Sequence, residues 1–163
     1  EIQYSDLKHD VMMQLASVVD QFNKQSVLKS GANKRAILVL MNAGSMNQQQ
    51  TALNFISQLA DVKIKTIDLS TLISQYIGET EKNLNILLSK VIKTTPVLFF
   101  DEADALFGKR TDVKDAHDKY ANQEVSYLLS HFEEYPGIVV IATIKKVKPL
   151  SAIKKRFHYI LEF

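Results

Sequence analysis

Two adjacent carboxylates, Asp101 and Glu102, are the residues best placed to do chemistry. They directly follow the apolar run 97–100, which comes after Pro96 and shows no polar alternation. Such a run predicts a strand buried on both faces, as in a parallel sheet covered by helices. Ligands bind at the carboxyl ends of the strands in open α/β sheets, so both acids would lie at a ligand site. The competing interpretation is that the acids only cap the next helix and complement its dipole.

Residues 44–51 form a second candidate site, a polar turn between a predicted strand and a predicted helix. The phosphate-binding P-loop has a glycine, four free positions and then Gly-Lys-Ser/Thr. Gly44 and Thr51 match this pattern, whereas Gln49 stands at the second glycine and Gln50 at the lysine. The missing lysine removes a unit charge worth ~4 kcal/mol at 4 Å and an effective dielectric constant near 20. The turn is therefore either a weakened phosphate cradle or an ordinary polar turn that binds no phosphate.

Length and composition predict a single globular domain at 1–163. The 163 residues are 46% apolar, and a helix and linker at 1–35 precede an α/β core at 36–163. The formal charge of +2 is spread along the chain, which gives no support to nucleic-acid or membrane binding. The chain has no cysteine, signal peptide or membrane-spanning run, so we expect a cytoplasmic location. Because it opens at Glu1 without an initiator Met, we expect a piece of a longer protein.

Apolar runs and amphipathic stretches follow one another along the chain and must position these candidate residues. The predicted strands are 36–41, 64–68, 97–100, 138–143 and 158–163. The predicted helices are one capped by Ser5 and running to about Phe22, then 50–59, 80–93 and 122–134. This order predicts an α/β fold with a buried, mainly parallel sheet.

The sequence resembles the core of the AAA ATPases over nearly its full length. The resemblance rests on the P-loop-like turn, the Tyr-Ile-Gly loop at 76–78, the Asp-Glu strand and the terminal pair 156–157. The runs 76–83 and 100–129 resemble most closely the AAA ATPases encoded with bacterial phage-tail-like contractile injection systems. The resemblance implies a P-loop NTPase-like three-layer sandwich, with a five-stranded, mainly parallel sheet and helices on both faces. The family normally adds a small C-terminal helical lid, which we expect to be absent from 1–163.

The same resemblance implies roles for individual residues. Gly44, Thr51 and Asp101 would contact ATP, and Asp101 with Thr51 would hold Mg²⁺. Glu102 would be the catalytic base that polarises the attacking water, as in a Walker B strand. Arg156 would be the arginine finger, which reaches the γ-phosphate bound by a neighbouring subunit; a solvated basic face is the competing interpretation.

Two features of the resemblance bear on activity and on clients. Ile144 stands where AAA proteins have a sensor asparagine, and its side chain cannot form the hydrogen bond that positions water. A positioning group of this kind is typically worth ~10²–10³ in rate. Tyr76 corresponds to the pore-loop aromatic residue that grips an extended polypeptide, or else it packs locally ahead of a helix.

Two functional hypotheses follow. One is an AAA ATPase that binds ATP and Mg²⁺ and remodels or loads protein clients. The other, which we favour, is a module with a degenerate P-loop and sensor that has weak or no ATPase activity and acts in assembly or remodelling. In both, the domain joins a homo- or hetero-oligomeric ring through its Arg156 face, and Tyr76 is the candidate contact for a polypeptide client if it does not pack locally. The substitutions at Gln50 and Ile144 favour the second hypothesis, because they harm binding and chemistry separately.

Overall fold

The computed structural model describes residues 7–27, 35–69, 96–107, 126–149 and 151–163. Its strands are β1 (Ile37–Asn42), β2 (Ile64–Asp68), β3 (Val97–Asp101), β4 (Ile138–Ala142) and β5 (Tyr159–Glu162). Its helices are α1 (His9–Val27), α2 (Met46–Ala60), α3 (Asp104–Phe107), α4, described over residues 126–133, and α5 (Ser151–Lys154). The predicted Tyr-Ile-Gly loop, the predicted helix 80–93 and Ser5 lie outside the described residues.

The five described strands form one parallel sheet in the order β2-β3-β4-β1-β5. Every residue of β1 and β4 is buried, as are the first four of β3, which is why their sequences are continuous apolar runs. β2 lies at one edge and is half-buried or exposed throughout. The predicted buried sheet is confirmed, and all five strands are parallel where the sequence indicated only a mainly parallel sheet.

Helices α1 and α2 cover one face of the sheet. The side chains that join this layer are apolar and alternate along each strand: Ile37, Val39 and Met41 from β1, Val97 and Phe99 from β3, Ile138, Val140 and Ala142 from β4. From α1, Leu15 and Val18 are fully buried against them, and from α2, Ala52 and Ile56. The amphipathic N-terminal helix predicted from spacing is therefore part of the core.

Helices α4 and α5 cover the opposite face. The strand residues of this layer are Leu38, Leu40, Leu98, Phe100, Val139 and Ile141, which alternate with those of the first layer. Phe100 stacks on Phe132 of α4 with ring centroids 4.4 Å apart. Ile153 of α5 and the following Phe157 complete the layer. Helices on both faces of one sheet give the predicted three-layer sandwich.

The turn between α4 and β4 brings two strands close together. Ile138 donates its N–H to the carbonyl of Pro96 (3.0 Å), and Ile37 donates to the carbonyl of Gly137 (2.9 Å). A Cβ on Gly137 would collide with the Pro96 carbonyl oxygen. Nearby Tyr135 is almost fully buried, and burial raises the pKa of its phenol to about 12. The backbone hydrogen bonds of Ile138 and Ile37 thus link the starts of β1, β3 and β4.

Candidate functional site

The acids predicted to do chemistry lie at the carboxyl edge of the sheet. Asp101 is the last residue of β3 and is half-buried, and its Oδ1 accepts the N–H of Glu102 at 2.8 Å. Glu102 is exposed and has φ 55°, in the left-handed region. A non-glycine residue there costs ~1–2 kcal/mol, and such conformations cluster at functional sites. The structure therefore places both acids where the sequence predicted them.

A third acid, Asp104, anchors the loop that follows β4. Its carboxylate accepts the N–H of Ile144 (3.0 Å) and the N–H of Lys145 (2.9 Å). Charge-assisted hydrogen bonds of this kind are about twice as strong as neutral ones. No role was predicted for Asp104 from the sequence. Ile144, at the predicted sensor position, is 57% exposed, and its backbone N–H is the group that Asp104 binds.

The turn after β1 is closed by a capping box. Ala43 has φ 62°, and Ser45, at φ −62° and ψ 162°, caps α2. Ser45 Oγ accepts the N–H of Gln48 (3.1 Å), and Gln48 Oε1 accepts the N–H of Ser45 (3.0 Å). Ser-x-x-Gln is a local signal for a helix start, and it was missed in predicting the helix from residue 50. Because the cap is at Ser45, α2 begins at Met46, four residues earlier than predicted.

The two glutamines at the divergent P-loop positions belong to this helix. Gln49 is 5% exposed, and its Nε2 donates to the carbonyls of Gly44 (2.9 Å) and Thr143 (3.3 Å). Its backbone N–H donates to the carbonyl of Ser45 at 2.9 Å, as in a regular helix. Gln50 is exposed, and its side chain donates to Asn54 one turn along α2 (3.1 Å). The Gln49 amide thus fills the inside of the turn, and Gln50 lies along the helix.

Gly44 and Thr51, the matching P-loop positions, lie in different settings. Gly44 is buried, and a Cβ there would lie 3.0 Å from the ring of Phe163 and 3.1 Å from Gln49. Thr51 is the sixth residue of α2, and its hydroxyl donates to the carbonyl of Asn47 at 2.7 Å. The hydroxyl proton is thereby used within the helix.

A buried amide, Asn42, joins three segments at the same edge. Its Oδ1 accepts the N–H of Val147 (2.9 Å), and its Nδ2 donates to the carbonyl of Val147 (3.0 Å) and to Glu162 (3.2 Å). The hydroxyl of Thr143 lies between the N–H of Ala43 (3.3 Å) and Asn42 Oδ1 (3.4 Å). In the sequence, Asn42 could have been identified as a polar residue at the end of a buried apolar run. These bonds hold the turn after β1 against the loop after β4.

Arg156, the predicted finger, is held by α4. Its Nε donates to Glu133 Oε1 at 3.0 Å, in an ion pair whose side chains are 21% and 30% exposed. One terminal nitrogen donates to the carbonyl and hydroxyl of Ser126, both at 2.7 Å, and the other to the hydroxyl of Ser130 at 2.8 Å. The hydrogen bonds described for the Arg156 side chain are therefore with α4, and not with Asp101 or Glu102.

Comparison with known proteins agrees with this architecture. The model of the family "ATPase family associated with various cellular activities (AAA)" matches residues 51–163, more than half of the chain. The chain belongs to the AAA family. Among curated relatives of this AAA domain, the Cell division cycle protein 48 homolog of Archaeoglobus fulgidus is 35% identical over 79 residues, covering 46% of this chain and 10% of the relative. An uncharacterized AAA family ATPase, y4kL of Sinorhizobium fredii, is 27% identical over 164 residues, covering 96% and 49%. The AAA domain thus spans half or less of these relatives.

Solved structures resemble the AAA domain in fold. The FIGL-1 AAA domain in complex with ADP matches with a TM-score of 0.66 and 21% identity, over 99% of this chain and 55% of that one. The Escherichia coli MS115-1 HORMA:CdnC:Trip13 complex matches with a TM-score of 0.56 and 20% identity, over 94% and 60%. At this level of identity the likeness shows the fold alone, which confirms the predicted P-loop NTPase-like fold.

Membership of the AAA family does not test the roles predicted for individual residues. Roles for Gly44, Thr51, Asp101, Glu102 and Arg156 stay predictions, as does the link to contractile injection systems. Tyr76, the predicted client-binding residue, lies outside the described residues. Among the described residues, no helix has the length and apolar character needed to cross a membrane, and no cluster of His, Cys, Asp and Glu side chains is suited to a metal ion.

Proposed function

We propose that this AAA domain is an assembly or protein-remodelling module with weak or no ATPase activity. One observation carries the proposal: α2 begins at Met46, so residues 46–49 are helical where a phosphate-binding loop would be open. The family assignment supports a remodelling role, because AAA proteins generally act on other proteins as oligomers. The proposal concerns this chain as it stands, with Gln50 at the lysine position.

The closed turn uses part of its backbone N–H groups internally. A P-loop binds phosphate through backbone N–H groups, yet those of Ser45, Gln48 and Gln49 donate to acceptors within the turn itself. Opening it would lose the capping interactions, worth ~1 kcal/mol, and would leave the buried Gln49 amide without partners. No lysine at position 50 offsets this cost, since a unit charge there would contribute ~4 kcal/mol. We infer that the residues of the turn do not fit a bound triphosphate.

Magnesium binding depends on the same turn. Mg²⁺ is usually held by one or two carboxylates together with substrate phosphates, not by an all-protein cage. The predicted ligands are a single carboxylate, Asp101, whose Oδ1 accepts the N–H of Glu102, and the hydroxyl oxygen of Thr51. Without a triphosphate, we infer that these two predicted ligands do not suffice for Mg²⁺.

Thermal melting with Mg-ATP tests the proposal. A ligand at a hundred times its dissociation constant adds ~2.7 kcal/mol of stability, so binding would raise the melting temperature measurably. We expect no shift for the wild-type domain or for Gln50→Lys alone, because the turn stays closed. The double variant Gln49→Gly, Gln50→Lys removes the amide inside the turn and restores the charge, and we expect it to show a shift.

A second candidate function is a working ATPase. The observation that favours it is the left-handed backbone of Glu102 directly after Asp101, a strained conformation at the position of a catalytic base. Under this hypothesis, wild-type protein melts at a higher temperature with Mg-ATP and releases phosphate steadily, and Glu102→Gln abolishes the release. Both results together would overturn the inactive-module proposal.

We also propose an oligomeric ring, a polypeptide client at Tyr76, a cytoplasmic location and a place beside a bacterial contractile injection system. The ring is supported by family membership.

As a finger, Arg156 would complete a neighbour's site only after leaving its bonds to α4. In a mixture with an intact paralogue, Arg156→Ala should lower the partner's ATPase rate; an unchanged rate would argue against a finger role.

A further inference from the structure

A groove lined by lysines lies on the α5 side of the sheet, apart from the acids. Its floor is formed by Leu40 and Asn42 of β1 and by their register partners Ile160 and Glu162 of β5. One wall is the loop 146–149 and the other includes Lys154 at the end of α5. This part encloses about 350 Å³. This cavity and the adjoining depression, which shares Lys154 and Ile160 with it, are together called the lysine groove.

The groove continues past Lys154. A more open depression of about 500 Å³ shares Lys154 and Ile160 with the first part and adds Ser151, Lys155 and Phe157 to the lining. Two adjoining depressions along one strand make an elongated site. An elongated site suits an extended chain better than a compact ion.

The charge of the lysine groove is strongly positive. Lys146, Lys148, Lys154 and Lys155 line it and are exposed. The ion pairs among the described residues are Lys24–Asp20 and Arg156–Glu133, so none of these four ammonium groups is neutralised within the described part of the chain. The carboxylate in the lining, that of Glu162, already accepts a hydrogen bond from Asn42.

The lining of the lysine groove fits a polypeptide that carries both carboxylates and apolar side chains. Both the N–H and the carbonyl of Val147 are taken up by Asn42, so that backbone offers no anion nest at this point. The cations in the lining are separate lysine point charges, and Phe157 is only 7% exposed, so its ring offers little surface for the stacking of nucleic-acid bases. Val147, Pro149 and Ile160 in the lining are half-buried and add apolar surface that would accept aliphatic side chains, whereas Leu40 and Phe157 are buried.

We propose that the lysine groove binds an extended acidic segment of a partner polypeptide, in which carboxylates alternate with apolar side chains. The carboxylates contact the rim lysines, and the apolar side chains pack against Val147, Pro149 and Ile160. The interaction is independent of nucleotide, so it stands whether or not the domain binds ATP. Complementary charge of this kind speeds association and favours acidic partners over others.

Fluorescence anisotropy with three labelled probes tests the proposal. The probes are a peptide of alternating glutamate and leucine, the same peptide with glutamine for glutamate, and a short single-stranded DNA. We expect the acidic peptide to bind, more weakly as salt is raised, and the glutamine peptide to bind at least ~10-fold more weakly. Failure of the acidic peptide to bind, or equal binding of all three probes, would overturn the proposal.

Two matched double variants separate the groove from general charge. Lys148→Glu with Lys154→Glu reverses two groove lysines, and Lys63→Glu with Lys65→Glu reverses two exposed lysines at the opposite, β2 edge of the sheet. We expect the first to weaken peptide binding by ~10-fold or more and the second by less than ~2-fold. Equal losses, or DNA binding as tightly as the peptide and showing the same pattern, would contradict an acidic-peptide site.

Discussion

The guanidinium of Arg156 donates four hydrogen bonds to residues of α4. It binds Glu133, Ser126 and Ser130, which lie on successive turns of α4. An arginine with its fork already occupied stabilises its own subunit. Its predicted role across a ring interface competes with these bonds, so the two roles differ in what an isolated domain should show.

Replacing Arg156 with alanine should lower the free energy of unfolding by about 1.5–3 kcal/mol, since charged hydrogen bonds to part-buried partners are lost. Urea denaturation of the isolated domain measures this change. The control is Lys155→Ala, an exposed neighbour that we expect to cost less than about 0.5 kcal/mol. Equal effects of the two variants would mean that the α4 contacts contribute little to stability.

At the scale of elements, the sheet depends on the close approach of the α4–β4 turn to the start of β3. Pro96 accepts the N–H of Ile138, and the carbonyl of Gly137 accepts the N–H of Ile37. The three central strands therefore begin at one point. The carboxyl edge, with Asp101 and Asn42, is positioned by registers that are set at the opposite end.

Gly137→Ala should destabilise the fold by roughly 3 kcal/mol or more, because the new methyl group collides with the Pro96 backbone, which cannot move without shifting β3. Gly44→Ala is the matched control. Its methyl group would meet the Phe163 and Gln49 side chains at 3.0–3.1 Å, and these can adjust. Thermal unfolding of both variants should show the larger loss at Gly137, and a larger loss at Gly44 would contradict this reading of the turn.

At the scale of the whole molecule, helix α1 is part of the packed core. Leu15 and Val18 are fully buried in the layer shared with α2. Gln14 donates to the carbonyl of Ile160 (3.3 Å), and the Tyr159 hydroxyl donates to Gln21 (3.0 Å). Helix α1 thus contacts both α2 and the edge strand β5.

Leu15→Ala should lower the free energy of unfolding by about 2–5 kcal/mol, as expected for a cavity in a packed core. Met13→Ala, on the same helix but 59% exposed, should change it by less than about 0.5 kcal/mol. Chemical denaturation of the two variants distinguishes a core helix from a surface one. Similar small losses for both would mean that α1 is dispensable.

The sequence by itself determined the sheet, its buried strands and the position of Asp101 and Glu102. Strand burial is written in continuous apolar runs, and an acid after such a run must lie at the carboxyl edge, so neighbouring residues carry this information. The start of α2 was equally local, and the Ser45–Gln48 capping box would have revealed it. The AAA family of the chain could also be recognised from the order of its sequence motifs.

Only the tertiary structure decided how the site is closed. The Gln49 amide reaches Thr143, Asp104 reaches the backbone after β4, Asn42 reaches Val147 and Arg156 reaches α4. These partners lie 23 to 105 positions apart in the sequence, so no local pattern predicts them. A polar side chain has many possible partners in a chain, and the packing of the strands and helices selects one.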